Sequence, residues 1–247
     1  MAKPTLHVFA ISHYCEKARW ALDYLGHDYT LNRLAPGKHL KKARSLGLKR
    51  GAMPFLELPD DVIQGSADVV SWAESNSPGG AKLSSAENRD ACREIEQRLD
   101  DIAGIHVRRY FYSEAIVDHP ATVLPIFRRG LPWLDQLKLR LGWKVVCRLM
   151  IKGMDLGPAQ REDSRAKVEG ELDWLDGLLA DGRPYLLGDT MTRADLAAAS
   201  LLSPIALPDE HPEYQHIVVP PLAQADTERW ASRPSIRYVR TVYQNAR

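Results

Sequence analysis

The pattern of apolar residues in this sequence changes near residue 80. Before it, short apolar runs alternate with segments of helical periodicity, whereas no later run has the pattern of a strand. The change coincides with Ser77-Pro78-Gly79-Gly80, and both proline and glycine interrupt regular structure. The sequence therefore predicts two domains, at residues 1–77 and 86–247, the first mixed α/β and the second all-helical.

Within the first domain the pattern predicts the order β-α-β-α-β-β-α. The expected strands cover residues 6–11, 29–31, 53–58 and 62–64. The expected helices begin at residues 12, 38 and 66, and Gly26 is a natural end for the first of them. About 75 residues suffice for this order, which is an ordinary size for a small domain.

The second domain shows two clear amphipathic helices, around residues 92–102 and 168–179. Between them, residues 113–160 are apolar, basic and interrupted by prolines, and we expect irregular helices there. Further on, Thr192 and Asp195 have the spacing of a capping box, flanked by apolar residues at the staple positions. This motif predicts a helix start with a structural role and no catalytic one.

Composition narrows the functional classes. The formal net charge is +1, so no overall field favours a nucleic acid or an anionic membrane as a partner. The three cysteines form no C-x-x-C pair, which argues against a disulfide framework or a cysteine metal site and for a reducing compartment. We expect a cytoplasmic protein, because the N-terminus lacks the apolar segment of a signal peptide and residues 143–151 are too short to cross a bilayer.

Ser12 is the first candidate site residue, because it stands where a strand is expected to end and a helix to begin. The free N–H groups and the dipole of a helix N-terminus favour an anion, and a thiolate is an anion. A hydroxyl at this position can donate a hydrogen bond to a bound thiolate. A simple helix cap is the alternative role for Ser12.

Two further segments could bind a peptide-like ligand. Met53-Pro54 precedes an apolar strand and suits a cis peptide bond, which would leave the backbone of Met53 facing outward; an ordinary trans proline is the alternative. Gln64-Gly65-Ser66 lies where another strand meets a helix, which is a natural site for a carboxylate. A plain serine cap is again the alternative there.

The order and spacing of these segments resemble the cytosolic glutathione transferases. The resemblance rests on Ser12-His13-Tyr14-Cys15-Glu16-Lys17-Ala18-Arg19-Trp20-Ala21-Leu22, Met53-Pro54-Phe55-Leu56, Gln64-Gly65-Ser66-Ala67, Gly188-Asp189-Thr190-Met191-Thr192-Arg193-Ala194-Asp195-Leu196 and Trp230-Ala231-Ser232-Arg233-Pro234. It covers most of the chain outside residues 113–160. It implies a thioredoxin-like N-terminal domain, an all-helical C-terminal domain, and a homodimer with a role in detoxification.

The resemblance also implies roles for individual residues. Ser12 matches the serine whose hydroxyl activates the glutathione thiol in the serine-type members. Met53 and the cis-proline Pro54 match the segment whose backbone pairs with the cysteinyl part of glutathione. The remaining implied positions are Ser66 with Gln64 for the γ-glutamyl end, Arg50 and Lys38 for the glycine carboxylate, and Tyr110 for the wall of the electrophile pocket. Ordinary aromatic packing is the alternative for Tyr110.

Some residues depart from the family pattern. His13 replaces a common proline, Gly65 replaces an acidic or amide residue, and Asp68 adds a negative charge near the expected carboxylate site. Cys15 occupies the position of the second cysteine in a redox C-x-x-C motif, and Ser12 stands where the first cysteine would be. A single cysteine cannot perform dithiol exchange, so we expect a buried, inert thiol, with a redox role as the alternative.

The leading hypothesis is an enzyme that conjugates reduced glutathione, its co-substrate, to small hydrophobic electrophiles, with Ser12 stabilising the thiolate. No metal, nucleic acid or membrane is expected to take part. Two alternatives remain: a glutathione-dependent isomerase or dehalogenase with the same thiolate chemistry, and a non-catalytic binding protein that keeps the fold.

Overall fold

The computed structural model describes residues 3–247, which divide into two compact units. The first unit comprises the chain up to Lys82 together with Leu124–Val146, and the second comprises Leu83–Val123 with Cys147–Arg247. The first unit therefore extends past the predicted limit at residue 77. It also includes part of the proline-interrupted region that the sequence assigned to the second domain.

The first unit is built on one four-stranded sheet. Its strands are β1 (Thr5–Val8), β2 (Thr30–Arg33), β3 (Phe55–Glu57) and β4 (Val62–Gln64), in the order β2-β1-β3-β4. Strand β1 is parallel to β2 and antiparallel to β3, and β3 is antiparallel to β4. The helices of this part are α1 (His13–Tyr24), α2 (Lys38–Ser45) and α3 (Ser66–Ser75). The order β-α-β-α-β-β-α is that of the thioredoxin-like fold, as the sequence predicts.

Helix α1 has the amphipathic pattern that its sequence predicts. Cys15, Ala18 and Leu22, which recur at spacings of three and four, are all buried and so fix one face of the helix against the core. The helix ends before Gly26, whose φ of 76° is a left-handed conformation that glycine adopts without steric cost. The first strand is shorter than predicted and ends at Val8 rather than at residue 11.

Beyond residue 82 the regular structure is helical, apart from one isolated bridge between Tyr185 and Gly188 among the residues described. The helices are α4 (Arg89–Arg98), α5 (Gly104–Ala115), α6 (Pro120–Arg128), α7 (Trp133–Met154), α8 (Pro158–Leu178), α9 (Arg193–Ala206), α10 (Pro221–Trp230) and α11 (Pro234–Ala246). A π-helical turn, Leu99–Ala103, joins α4 to α5. The all-helical prediction for this part of the chain is confirmed.

Residues 113–160 are more regular than we expected. Pro120 and Pro158 are the first residues of α6 and α8, where the missing N–H has no intrahelical partner to lose. Pro132 precedes α7, which then runs uninterrupted for 22 residues. Three of these prolines therefore mark helix starts, whereas Pro125 lies inside α6. None of the helices in residues 3–247 is long and apolar enough to span a bilayer.

The capping box at α9 forms as predicted. The backbone N–H and the hydroxyl of Thr192 both donate to Oδ2 of Asp195, each at 2.6 Å. The other carboxylate oxygen, Oδ1, accepts from the N–H of Leu186 at 2.7 Å and from the Tyr238 hydroxyl. Asp195 is fully buried, so this carboxylate ties α9 to the loop before it and to α11.

Candidate functional site at one end of the sheet

The strand register brings three predicted segments to one end of the sheet. Phe55, the first residue of β3, is paired with His7 of β1 on one side and with Gln64, the last residue of β4, on the other. The end of β1, the start of β3 and the end of β4 therefore lie side by side. Ser12, Met53 and Ser66 each follow or precede these strand ends by a few residues, which places all three at the same end of the sheet.

Ser12 is the N-cap of α1. Its backbone is extended, and its Oγ accepts the N–H of Cys15 at 3.3 Å, so the hydroxyl oxygen serves the helix. A serine hydroxyl can accept and donate at the same time. The Ser12 side chain is also hydrogen-bonded to the side chain of Cys15, so within the chain the Cys15 sulfur is the acceptor of the hydroxyl proton. A ligand anion at the positive end of the helix dipole can accept the same proton in place of that sulfur.

Cys15 has the opposite character. It is buried, its Sγ accepts the N–H of Phe9 at 3.4 Å, and burial raises the pKa of the thiol to about 11. A thiol that is neutral and shielded at physiological pH is a poor nucleophile and a poor redox partner. The structure therefore favours the inert, structural role for Cys15 over a redox role.

The Met53-Pro54 peptide bond is cis, as the sequence suggested. The carbonyl of Pro54 accepts the N–H of Gly65, which ties this turn to the start of α3. Met53 itself makes no hydrogen bond to any described residue, so its backbone N–H and carbonyl are both unoccupied. Backbone groups of this kind can pair with an extended peptide.

Ser66 is the first residue of α3 and is almost buried. Before it, Gly65 has φ 104° and ψ 144°, a backbone conformation that side-chain-bearing residues rarely adopt. This conformation explains the departure from the family pattern at position 65, because an acidic or amide residue would be strained there. Asp68 is exposed in the first turn of α3, and it adds negative charge to an end that would otherwise favour an anion.

The side chain of Gln64, which we predicted to bind the γ-glutamyl end of glutathione, is hydrogen-bonded within the chain. Its side-chain nitrogen donates to the carbonyls of Arg50 and Ala52, both at 2.8 Å. Both amide hydrogens are therefore used within the chain, and neither is left for a ligand carboxylate. Gln64 instead positions the loop that leads into the cis-proline turn. Arg50 lies in that loop and is exposed.

Lys38, at the start of α2, has a partner that the sequence did not reveal. Its Nζ lies 2.6 Å from both carboxylate oxygens of Asp135 in α7. The lysine side chain is about half exposed, whereas Asp135 is nearly buried. Lys38 can still face a ligand, but Asp135 holds it in place and offsets part of its charge. Because 97 residues separate the two, no local signal could have identified Asp135.

Tyr110, predicted to line the electrophile pocket, is buried within the second unit at 1% exposure. Its hydroxyl donates to Oδ2 of Asp226 at 2.8 Å, and the guanidinium of Arg161 lies over its ring. Arg165 also pairs with the Asp226 carboxylate. Burial and the neighbouring carboxylate both raise the pKa of Tyr110. The structure favours the packing role for this tyrosine.

Comparison with known proteins agrees with this architecture. The glutathione S-transferase N-terminal domain family matches residues 6–81, and the corresponding C-terminal domain family matches residues 158–227. Together the two matches cover more than half of the chain. No curated protein matches the sequence.

Solved structures show the same fold over almost the whole chain. A glutathione transferase of Phanerochaete chrysosporium is 17% identical with a TM-score of 0.65, covering 99% of this chain and 96% of its own. A glutathione S-transferase of Ceriporiopsis subvermispora in complex with glutathione is 13% identical with a TM-score of 0.61, covering 99% and 98%. A β-etherase from a Sphingobium species is 14% identical with a TM-score of 0.60, covering 96% and 98%. With both domains matched in sequence and in fold, this chain belongs to the glutathione S-transferase family.

Proposed function

We propose that this protein conjugates reduced glutathione to small hydrophobic electrophiles, with Ser12 stabilising the thiolate. The observation that carries the proposal is the position of the Ser12 hydroxyl at the N-terminus of α1, at the same end of the sheet as the backbone groups of Met53, which make no hydrogen bond to any described residue. Family membership supports glutathione as the co-substrate.

The proposed chemistry needs only a hydrogen-bond donor from the protein. The glutathione S–H loses its proton to solvent, the sulfur attacks an electrophilic carbon, and the leaving group departs with the bonding electrons. The Ser12 hydroxyl donates to the anionic sulfur, while the dipole of α1 favours the same charge. A hydrogen bond to a charged group contributes about 1.5–3 kcal/mol, enough to lower a thiol pKa by roughly one to two units.

The rest of glutathione would lie along the same end of the sheet. We assign the Met53 backbone, after which Pro54 begins the strand, to the cysteinyl amide of glutathione, and the Ser66 hydroxyl to the γ-glutamyl carboxylate. Lys38 and Arg50 supply positive charge for the glycine end. Gln64 acts indirectly, through the loop that it holds. We further propose a cytoplasmic location, since a reduced co-substrate fits a compartment where the three cysteines remain free thiols. We propose a homodimer on the basis of the family resemblance.

The test is the Ser12→Ala variant, assayed with glutathione and a generic aryl halide. We expect kcat/KM to fall roughly 10- to 100-fold, matching the loss of one charge-assisted hydrogen bond. Ser12→Thr, which keeps a hydroxyl and can cap the helix, is the matched control and should retain most of the activity. Unchanged turnover in Ser12→Ala would remove Ser12 from the mechanism.

A second candidate function is binding without catalysis. Asp68 near the carboxylate site and the pairing of Lys38 with Asp135 both reduce the positive field available to glutathione. Calorimetry separates the two functions. Binding of glutathione with turnover supports the enzyme, whereas an absence of binding at millimolar concentration supports the non-catalytic alternative. A substrate screen that includes haloalkanes and ethers distinguishes conjugation from dehalogenation or ether cleavage.

A further inference from the structure

Helix α7 exposes a row of apolar side chains to solvent. Its members stand four residues apart and so are neighbours along one side of the helix. This apolar row consists of Trp133, Leu137, Leu141, Val145 and Leu149, with exposed fractions from 44% to 79%. Leu134 beside it is also exposed. Single exposed leucines are ordinary, but a contiguous apolar row indicates a surface that binds something.

The opposite side of the same helix is already occupied. Asp135, Leu139, Trp143 and Cys147, again four residues apart, are all buried. The ring of Trp143 packs against Phe127 of α6, with the ring centroids 5.3 Å apart. Helix α7 therefore has two apolar sides, and only one of them serves the core.

Positive charge surrounds the apolar row. Five exposed cations lie on α7: Lys138, Arg140, Lys144, Arg148 and Lys152. None of them has an ion-pair partner among residues 3–247. The one acid of the helix, Asp135, is buried and paired with Lys38. The whole chain has a net charge of only +1, so this helix concentrates cations that the rest of the molecule balances.

This charge pattern decides between the possible occupants of the surface. In a symmetric pair of copies the same surface would face itself, and up to ten unpaired cations would approach one another at an apolar contact. Such an arrangement brings like charges together without acids to offset them. An anionic lipid surface satisfies both features, since leucine and tryptophan enter the boundary of the acyl chains while lysine and arginine face the headgroups.

We propose that the apolar row and the five cations of α7 form a docking surface for an anionic lipid membrane. The helix, about 33 Å long at 1.5 Å per residue, lies along the membrane plane rather than across it. The proposal departs from our sequence-based expectation that no membrane takes part. It is independent of the proposed glutathione chemistry, since it involves none of the residues assigned to that site.

The experiment is co-sedimentation of the full-length protein with lipid vesicles. Vesicles of phosphatidylcholine containing phosphatidylglycerol should bind the protein, vesicles of phosphatidylcholine alone should bind it much less, and added salt should weaken the binding. The emission of exposed Trp133 should shift to the blue on binding, and Trp133→Phe should lose that shift. Equal binding to neutral vesicles, or no binding to either kind, overturns the proposal.

Variants separate the two components of the surface. Leu137→Glu with Leu141→Glu should weaken vesicle binding at least about tenfold, because two buried leucines are lost. Lys138→Gln with Lys144→Gln should weaken it about fivefold for each charge removed. Val218→Glu, at an equally exposed position outside α7, is the matched control and should bind like the unmodified protein.

A second copy of the chain is the competing occupant, and sedimentation velocity tests it. Under the proposal, Leu137→Glu with Leu141→Glu leaves the oligomeric state in solution unchanged. If these substitutions convert a larger species into a smaller one and vesicle binding is absent, the surface is an interface between copies and the membrane proposal fails. All of these positions are solvent-exposed, so the variants should fold, and circular dichroism checks this directly.

Discussion

Two helix N-termini in this protein have similar local sequences but differ in how their N-cap residues are hydrogen-bonded. Helix α9 begins at Thr192 with an acid three residues on, and helix α1 begins at Ser12 with a cysteine three residues on. At α9 the Asp195 carboxylate is buried and accepts four hydrogen bonds. At α1 the third position is Cys15, whose backbone N–H donates to the Ser12 hydroxyl oxygen and whose side chain is hydrogen-bonded to the same hydroxyl.

The difference shows how one residue separates a structural cap from a possible binding site. A carboxylate at the third position neutralises the positive end of the helix and uses the free donors. A thiol at that position packs inward and supplies no carboxylate to the N-cap, although Glu16 lies in the first turn of α1. The first arrangement should contribute stability, and the second should contribute affinity for an anion.

The largest expected effect follows from removing the carboxylate at α9. Asp195→Ala should lower the free energy of unfolding by about 3–5 kcal/mol, because four donors lose their buried acceptor. Chemical denaturation with urea measures the change. Asp189→Ala, at an exposed position six residues earlier, is the matched control and should change stability little. A small loss in Asp195→Ala would mean that water or other groups readily replace the carboxylate.

At α1, removing the cap should affect activity more than stability. Ser12→Ala should cost only about 1 kcal/mol of stability, as for an ordinary cap, yet should move the rise of activity with pH upward by roughly one to two units. The sign follows because the hydroxyl stabilises the thiolate, so its loss raises the pKa of bound glutathione. Rate measurements across the alkaline range record the shift. A pH profile that stays in place while stability drops would make Ser12 a cap alone.

Thr192→Ala supplies the complementary comparison. It should cost about 1–2 kcal/mol, since the cap is buried but Asp195 keeps its other partners. Specific activity per folded molecule should not change, because α9 supplies none of the residues assigned to glutathione. Thermal unfolding and a conjugation assay on the same preparation measure the two quantities. A loss of activity greater than the loss of folded protein would contradict the separation of roles.

The smallest expected effect concerns Cys15. With its pKa raised to about 11, only about one thiol in a thousand is ionised at pH 8, and burial shields the sulfur further. Iodoacetamide should therefore modify Cys15 very slowly in the native protein and quickly after unfolding. A Ser12→Cys variant should react much faster at the new thiol, as mass spectrometry can show. Rapid labelling of native Cys15 would revive a redox role.

Local sequence was sufficient for the parts of the site that depend on neighbours in the chain. Ser12 as a helix cap and the capping box of Thr192 with Asp195 each rest on residues close together in sequence. The Met53-Pro54 dipeptide alone left the trans form open, and the cis bond was implied by the family resemblance. The strand and helix order of the first unit was readable for the same reason, although β1 ends at Val8 instead of residue 11. Turn and cap chemistry is local, so a single sequence shows it.

Tertiary structure decided which side chains are free and which are used. The sequence could not show that Gln64 holds the loop at Arg50, that Lys38 pairs with Asp135, or that Tyr110 is packed against Arg161. It also could not show which side of α7 the core covers, because the helix carries leucines and tryptophans on both. These outcomes depend on contacts between distant segments, where burial rather than local propensity sets the result.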